Sequence, residues 1–373
     1  MKKKLTALLM ATGMAVSLAA CGGSTSSPAT TSTAAEESSV EDKAEAAADT
    51  SETAETEEKE DFKLIWVTCS TESDFWQYIQ IGIENAVADM EEEYNLNIDF
   101  SVAGPATEAE TEAYVRALEN AIAAKPNAIV TATQIPESTS PLTREAMNQG
   151  IIVNLANCGL LDVDGNDTPD AYNEFYCTSN GEIGDAAGEW MVNKLTEMGY
   201  TEGYISVHNS NLNPAVQARM DNFRAYVEAN SKFTVLDTLY NDNDLQQAQA
   251  DVENQISAYG EELVGVYGCN NVSGDGAALA IENAGIADKV ASIGVDSDPT
   301  EVAALEAGNI DCIFVQTAYE QGYNCVKNAV ETWKTGSNPE SKQIVYTSPV
   351  PVTTENMHEE EFAALLDPTL LKK

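Results

Sequence analysis

Residues 62–90 read FKLIWVTCSTESDFWQYIQIGIENAVADM, and the fold class follows from how they are spaced. Leu64-Ile65-Trp66-Val67 is a short, wholly apolar run, as expected of a strand buried on both faces of a parallel sheet. Phe75, Ile79, Ile83, Val87 and Met90 then recur at steps of three or four, which puts them on one face of a helix. The polar turn Ser70-Thr71-Glu72-Ser73-Asp74 separates the two. A strand followed at once by a helix that packs back on it is half of a right-handed crossover unit.

The unit recurs along the chain. Asn97 to Val102, Ala128-Ile129-Val130 and Ile151-Ile152-Val153 are further strands; Tyr114, Leu118 and Ile122 mark one helix, and another follows Pro141. The rhythm pauses from Leu160 to Asn173. It resumes with strands at Phe175 to Cys177, Tyr204 to Val207, Thr234 to Leu239, Leu263 to Tyr267, Ala291 to Val295 and Cys312 to Val315. The helices between them carry Val216, Met220, Phe223 and Val227, then Ala248, Val252, Ile256 and Tyr259. The last bears Tyr319, Tyr323, Val326, Val330 and Trp333. Two rounds with a pause predict an α/β protein of two doubly wound parallel-sheet lobes with a ligand cleft between them. The expected partition is 62–172 with 318–346 for lobe one and 173–317 with 347–373 for lobe two.

The amino end reads differently. Lys2-Lys3-Lys4 precedes an apolar stretch from Leu5 to Ala20 that closes on Leu18-Ala19-Ala20-Cys21-Gly22. This is the pattern of a secretory signal peptide over 1–20, too short for a membrane span. Its exit resembles the lipobox of bacterial lipoproteins, which makes Cys21 the expected lipidation site. Residues 22–61 are mostly Ser, Thr, Ala and Glu, with too little apolar surface to offset the entropy of ordering. The segment 21–61 is therefore expected to be an acidic, disordered tether. The whole chain has 61 Asp and Glu against 19 Lys and Arg, a formal charge of -42. Such a surface repels nucleic acid and anionic headgroups, so no nucleic-acid partner is expected. Beyond Cys21 there are six cysteines, with no metal or redox spacing. They read as small buried thiols, or as including a Cys158–Cys177 bridge, since export permits disulfides.

Open α/β sheets bind ligands beyond the carboxyl ends of their strands. The first strand leads to Ser70 and then Phe75-Trp76. The fourth leads to Asn157, and later strands lead to Asn270, Asp296 and Gln316. The helix after Tyr204–Val207 brings Gln217 and Arg219. A carboxylate, a guanidinium, amides and an aromatic face suit a neutral polyol, whose hydroxyls both donate and accept.

From about Lys63 to Val352 the chain resembles the periplasmic binding proteins of the ribose and galactose type. The resemblance rests on Ser70 with Phe75-Trp76, Arg219 within Ala218–Phe223, Asn270, Asp296 after Ile293-Gly294-Val295, and Gln316 followed by Gly322. It implies a solute-binding lipoprotein on the outer face of the cytoplasmic membrane, without enzymatic activity or cofactor. Its partners would be a small ligand such as a monosaccharide and the permease of an ABC importer, and it would be a monomer. Ribose-like members carry an aspartate and an arginine after the fourth strand of lobe one; here Leu155-Ala156-Asn157 stands there, so the pocket is a variant. A sensor that presents ligand to a membrane kinase or chemoreceptor would use the same cleft. A glycoside hydrolase is the remote alternative, since carboxylates abound. The loop Asp162-Val163-Asp164-Gly165-Asn166 has oxygen ligands at alternate places, as calcium loops do, but its glycine falls at the fourth place rather than the sixth. An acidic solvated loop is the competing reading. Two histidines in the chain are too few for a histidine metal cluster.

Overall fold

The computed structural model describes residues 58–161, 164–336 and 343–373. From the amino end the elements run β1 (Glu60–Val67), α1 (Asp74–Glu93), β2 (Leu96–Ala103), α2 (Thr111–Ala123), β3 (Ala128–Thr131), α3 (Pro136–Asn148), β4 (Ile152–Ala156) and β5 (Glu174–Thr178). Next come α4 (Asn180–Glu197), β6 (Tyr204–Asn209), α5 (Pro214–Asn230), β7 (Thr234–Val235), β8 (Leu239–Tyr240), α6 (Leu245–Tyr259), β9 (Leu263–Gly268) and α7 (Asn271–Ala284). The rest are β10 (Ala291–Val295), α8 (Pro299–Ala307), β11 (Cys312–Val315), α9 (Ala318–Thr335), β12 (Ile344–Thr347), β13 (Val350–Thr353) and α10 (Glu360–Leu366).

The strands form two sheets. The first has the order β12-β5-β4-β3-β1-β2, and every pair in it is parallel. The second has the order β13-β11-β10-β9-β6-β7, with β8 also on β6, and only the β11–β13 pair is antiparallel. Phe62, Leu64, Trp66, Ile79, Ile83 and Leu118 are fully buried in the first core. Val207, Phe223, Tyr267 and Phe314 hold the second. The expected face of α1 is realised: Phe75, Ile79, Ile83 and Met90 are buried.

Helix pairing depends on glycine. A β-carbon on Gly82 of α1 would lie 2.0 Å from the carbonyl oxygen of Tyr319, and one on Gly322 of α9 would lie 2.0 Å from that of Ile79. The two backbones touch, so α1 and α9 act as one slab against the first sheet.

The boundary at 172/173 requires correction. Residues 174–178, assigned to lobe two by the pause in the rhythm, form β5 between β4 and β12 in the first sheet. The pause is an excursion from lobe one and back. It is closed by a bridge from Leu161 to Asp167 and by the Arg144–Asp170 ion pair at 2.6 Å. A long loop whose ends rejoin adjacent strands is not a domain boundary. The chain crosses between sheets after β5, after β11 and between β12 and β13.

Candidate ligand-binding site

The cavity lies between the carboxyl ends of the two sheets. Its wall includes Phe75, Trp76, Asn157, Arg219, Asn270, Asp296 and Gln316, seven of the eight residues singled out from the sequence. The eighth, Ser70, is not in the wall. Its Oγ donates to the Ala106 carbonyl at 2.6 Å and accepts from the amides of Glu72 and Ser73 at 3.2 and 3.1 Å. A buried hydroxyl that serves three backbone groups organises the turn after β1, which orients the start of α1. Gln217 is likewise outside the wall and bonds the Tyr240 hydroxyl instead.

That turn delivers both aromatics to the cavity. The rings of Phe75 and Trp76 meet edge to face, centroids 5.0 Å apart at 81°. Trp76 Nε1 donates to Glu108 Oε1 at 2.7 Å, which fixes the indole plane.

The opposite wall is polar. Asp296 follows β10 with φ of 101°, a backbone region that residues other than glycine rarely occupy. It does not cap the following helix; Asp298 does, accepting from the amides of Thr300 and Glu301 at 2.9 and 3.0 Å. Asp296 Oδ1 instead accepts from Gln316 Nε2 at 2.6 Å, and Gln316 Oε1 accepts from Asn157 Nδ2 at 3.0 Å. This relay joins the end of β4 in one lobe to the end of β10 in the other, through the residue at which the chain crosses over. Arg219 is buried on α5 and donates to Asn180 Oδ1 and to the Cys269 carbonyl at 2.8 and 2.9 Å. Neither partner is charged, so its positive charge acts on the cavity.

Burial raises the Asp296 carboxyl to about 6; the nearby Arg219 charge and the Gln316 hydrogen bond oppose the rise, and Asp298 adds to it. Asn270 donates to Asn243 Oδ1 at 2.9 Å and accepts from Ser273 Oγ at 2.6 Å. Asn271 donates to Asp298 at 3.0 Å.

Several wall residues escaped the sequence reading: Glu108, Gln134, Cys158, Ser210, Asn213 and Asn271. Gln134 and Asn213 obey the strand-end rule, lying just beyond β3 and β6, and could have been found by it. Glu108 stands in a loop among many acidic residues and carries no distinguishing signal.

The described cysteines are free and buried, so Cys158 and Cys177 are not bridged. Burial lifts their thiols, Cys158 to about 11. Cys21 and Asp162 lie outside the described residues. Among the described residues no group of three or more histidine, cysteine and carboxylate side chains is set to hold a metal. No described helix is long and apolar enough to cross a membrane.

Two sheet-based lobes that share a polar, aromatic-walled cleft at their strand ends define a ligand-binding protein of the two-lobed α/β class. The chain belongs to the periplasmic binding protein domain family, whose profile matches residues 64–337. It is similar to a carbohydrate transporter solute-binding protein from Agrobacterium radiobacter, solved with D-arabinose: 24% identity, TM-score 0.73, over 82% of this chain and 99% of that one. It is similar to an ABC transporter solute-binding protein from Agrobacterium vitis with bound D-fucose: 25% identity, TM-score 0.73, with the same coverage of 82% and 99%. A third, also from Agrobacterium vitis and bound with α-D-tagatopyranose, matches at 22% identity and TM-score 0.72, over 82% of this chain and 99% of that one. A comparison with curated protein sequences finds no match.

Proposed function

We propose that the protein is an extracytoplasmic solute-binding protein that captures a monosaccharide and delivers it to an ABC importer. The observation that carries this reading is the composition of one cavity: Asp296 with Arg219, amides from Asn157, Asn270 and Gln316, and the aromatic rings of Phe75 and Trp76. A pyranose presents hydroxyls at its rim and C–H groups on its faces, and this wall matches both. Each sugar hydroxyl left unmatched in such a cavity would cost about 1–3 kcal/mol, the source of discrimination between isomers. The sugars held by the similar proteins support the class of ligand.

The wider reading adds a lipid anchor at Cys21, a tether over 22–61, a monomeric state, and lobes that close about crossings after Thr178, Val315 and Thr347. Acyl labelling that persists in Cys21→Ala would remove the anchor. The binding reading is tested by thermal shift and calorimetry with D-arabinose, D-fucose, D-tagatose, ribose, galactose and nucleosides. A sugar at 100 times its dissociation constant should add about 2.7 kcal/mol to stability. No stabilisation by any monosaccharide, with a nucleoside or other solute binding instead, would overturn it.

A further inference from the structure

Glu108 stands in lobe one on the loop between β2 and α2, half-buried. Its Oε1 accepts from Trp76 Nε1 at 2.7 Å, and its Oε2 accepts from Gln134 Nε2 at 2.9 Å and from Asn243 Nδ2 at 2.8 Å. The first two donors belong to lobe one. Asn243 belongs to lobe two, on the turn between β8 and α6, where it holds a left-handed backbone with φ of 59°. Asn243 is itself oriented, because its Oδ1 accepts from Asn270 Nδ2 at 2.9 Å. One carboxylate thus ties the aromatic wall of one lobe to the asparagine wall of the other.

A second seam runs beside it. Asn213 Nδ2, from lobe two, reaches the Thr133 carbonyl at 3.3 Å and Gln134 Oε1 at 3.2 Å in lobe one. Glu108, Gln134 and Asn213 line both the inner cavity and a wider outer space bounded by Leu161 and Leu212. The cross-lobe bonds are therefore the partition between the two spaces. Three donors converge on Glu108, and a carboxylate accepts from all of them through its two oxygens. A glutamine has one side-chain oxygen, so its amide hydrogens would oppose either Trp76 or the Gln134 and Asn243 pair.

We propose that Glu108 and Asn243 are the latch of the closed cleft, a positioning pair that holds the lobes together and confines the ligand to the inner cavity. The bond exists only when the lobes meet; when they part, both groups return to water. Its free energy therefore counts toward closure and toward slow ligand release, and little toward the stability of either lobe. In its ligand this inference rests on the sugar-capture reading; in its geometry of closure it does not.

The test uses a charge exchange. Asn243→Asp keeps the side-chain shape and the left-handed backbone but faces Glu108 with a second carboxylate. Glu108→Gln removes the charge and one of the two acceptor oxygens. Each alone should speed release of D-arabinose, or of whichever monosaccharide binds the wild type, by roughly tenfold or more, the worth of a charged hydrogen bond. The pair Glu108→Gln with Asn243→Asp restores one donor and one acceptor across the seam, and should recover most of the loss. A double variant as poor as the product of the two single losses would overturn the latch. Scattering of the sugar-free protein gives an independent reading. Asn243→Asp should be more expanded than wild type, and the double variant should return toward it; equal radii in all three would also overturn the latch. If no monosaccharide binds the wild type, the sugar reading fails and the scattering still decides the latch.

Discussion

At the scale of single residues, Asp296 carries the sharpest expectation. Its carboxyl is raised to about 6 by burial, and in the proposed site it would accept from a sugar hydroxyl through both oxygens only when ionised. A proton therefore competes with the ligand below that value. Affinity should be level above pH 7 and fall as pH drops through about 6, by roughly tenfold per unit at the limit. Calorimetry across pH 5–8 reads this directly, and Asp296→Asn should flatten the profile while weakening binding at pH 7.5 by about tenfold. An unchanged slope in that variant would remove Asp296 from ligand contact. Asp298 is the control. Asp298→Ala strips a cap from α8 and should cost about 1 kcal/mol of stability with affinity largely kept. The strand-end rule reaches Asp296, Gln316, Asn270 and Asn157 because a parallel sheet aims its carboxyl ends at the cleft. It fails at Ser70, where the same position serves the turn. It misses Glu108, because a loop carboxylate is placed by partners distant in sequence, Trp76, Gln134 and Asn243, and that is invisible in local sequence.

Elements show the same division between local and long-range information. Buried apolar runs and three-to-four spacing make β1, α1 and α9 legible, since each signal is confined to a short window. The membership of β5 is not legible. Its residues read as a strand, but whether it joins the sheet before or after the loop depends on hydrogen bonds to β4 and to β12, which lies far along the chain. The two small β-strands at Thr234–Val235 and Leu239–Tyr240 likewise read as one run, because the break between them has no apolar signature. The contact of α1 with α9 gives a prediction at this scale. Gly322→Ala drives a methyl group against the Ile79 carbonyl, where no flexible side chain can yield. Overpacking costs typically about 1–3 kcal/mol. The unfolding free energy should fall by that amount, lowering the denaturant midpoint, and α1 should shift enough to disturb Phe75 and Trp76. A midpoint equal to wild type would mean that the helices separate easily.

For the whole molecule, buried titratable groups set opposing limits on stability with pH. His208 is fully buried with neither ring nitrogen bonded, and burial lowers it to about 4. The unfolded chain takes up that proton from about pH 6.5 downward, so the stability associated with neutral His208 is complete above 6.5 and is lost as pH falls toward 4. Glu301 and Asp275 run the other way. Burial raises both, with Asp298 adding to the rise, and Asp275 reaches about 8. Their stabilising neutral forms are complete below the ordinary carboxylate range and are lost as pH climbs through the raised values. The formal charge of -42 adds self-repulsion at the alkaline end. Two such carboxyls outweigh one histidine, so chemical denaturation should show stability falling as pH rises from the ordinary carboxylate range toward 8, and Glu301→Gln should flatten that limb. A wild-type limb that is already flat would show that these carboxyls ionise without cost. The two edge strands β12 and β13 have a consequence of another kind. One completes the first sheet and the other the second, and both are supplied by the final stretch of the chain. A polypeptide emerging amino end first therefore has neither sheet complete until Thr353 has followed. Both sheets depend on residues 344–353 for an outer edge, and a break just before that segment would leave both lobes incomplete together.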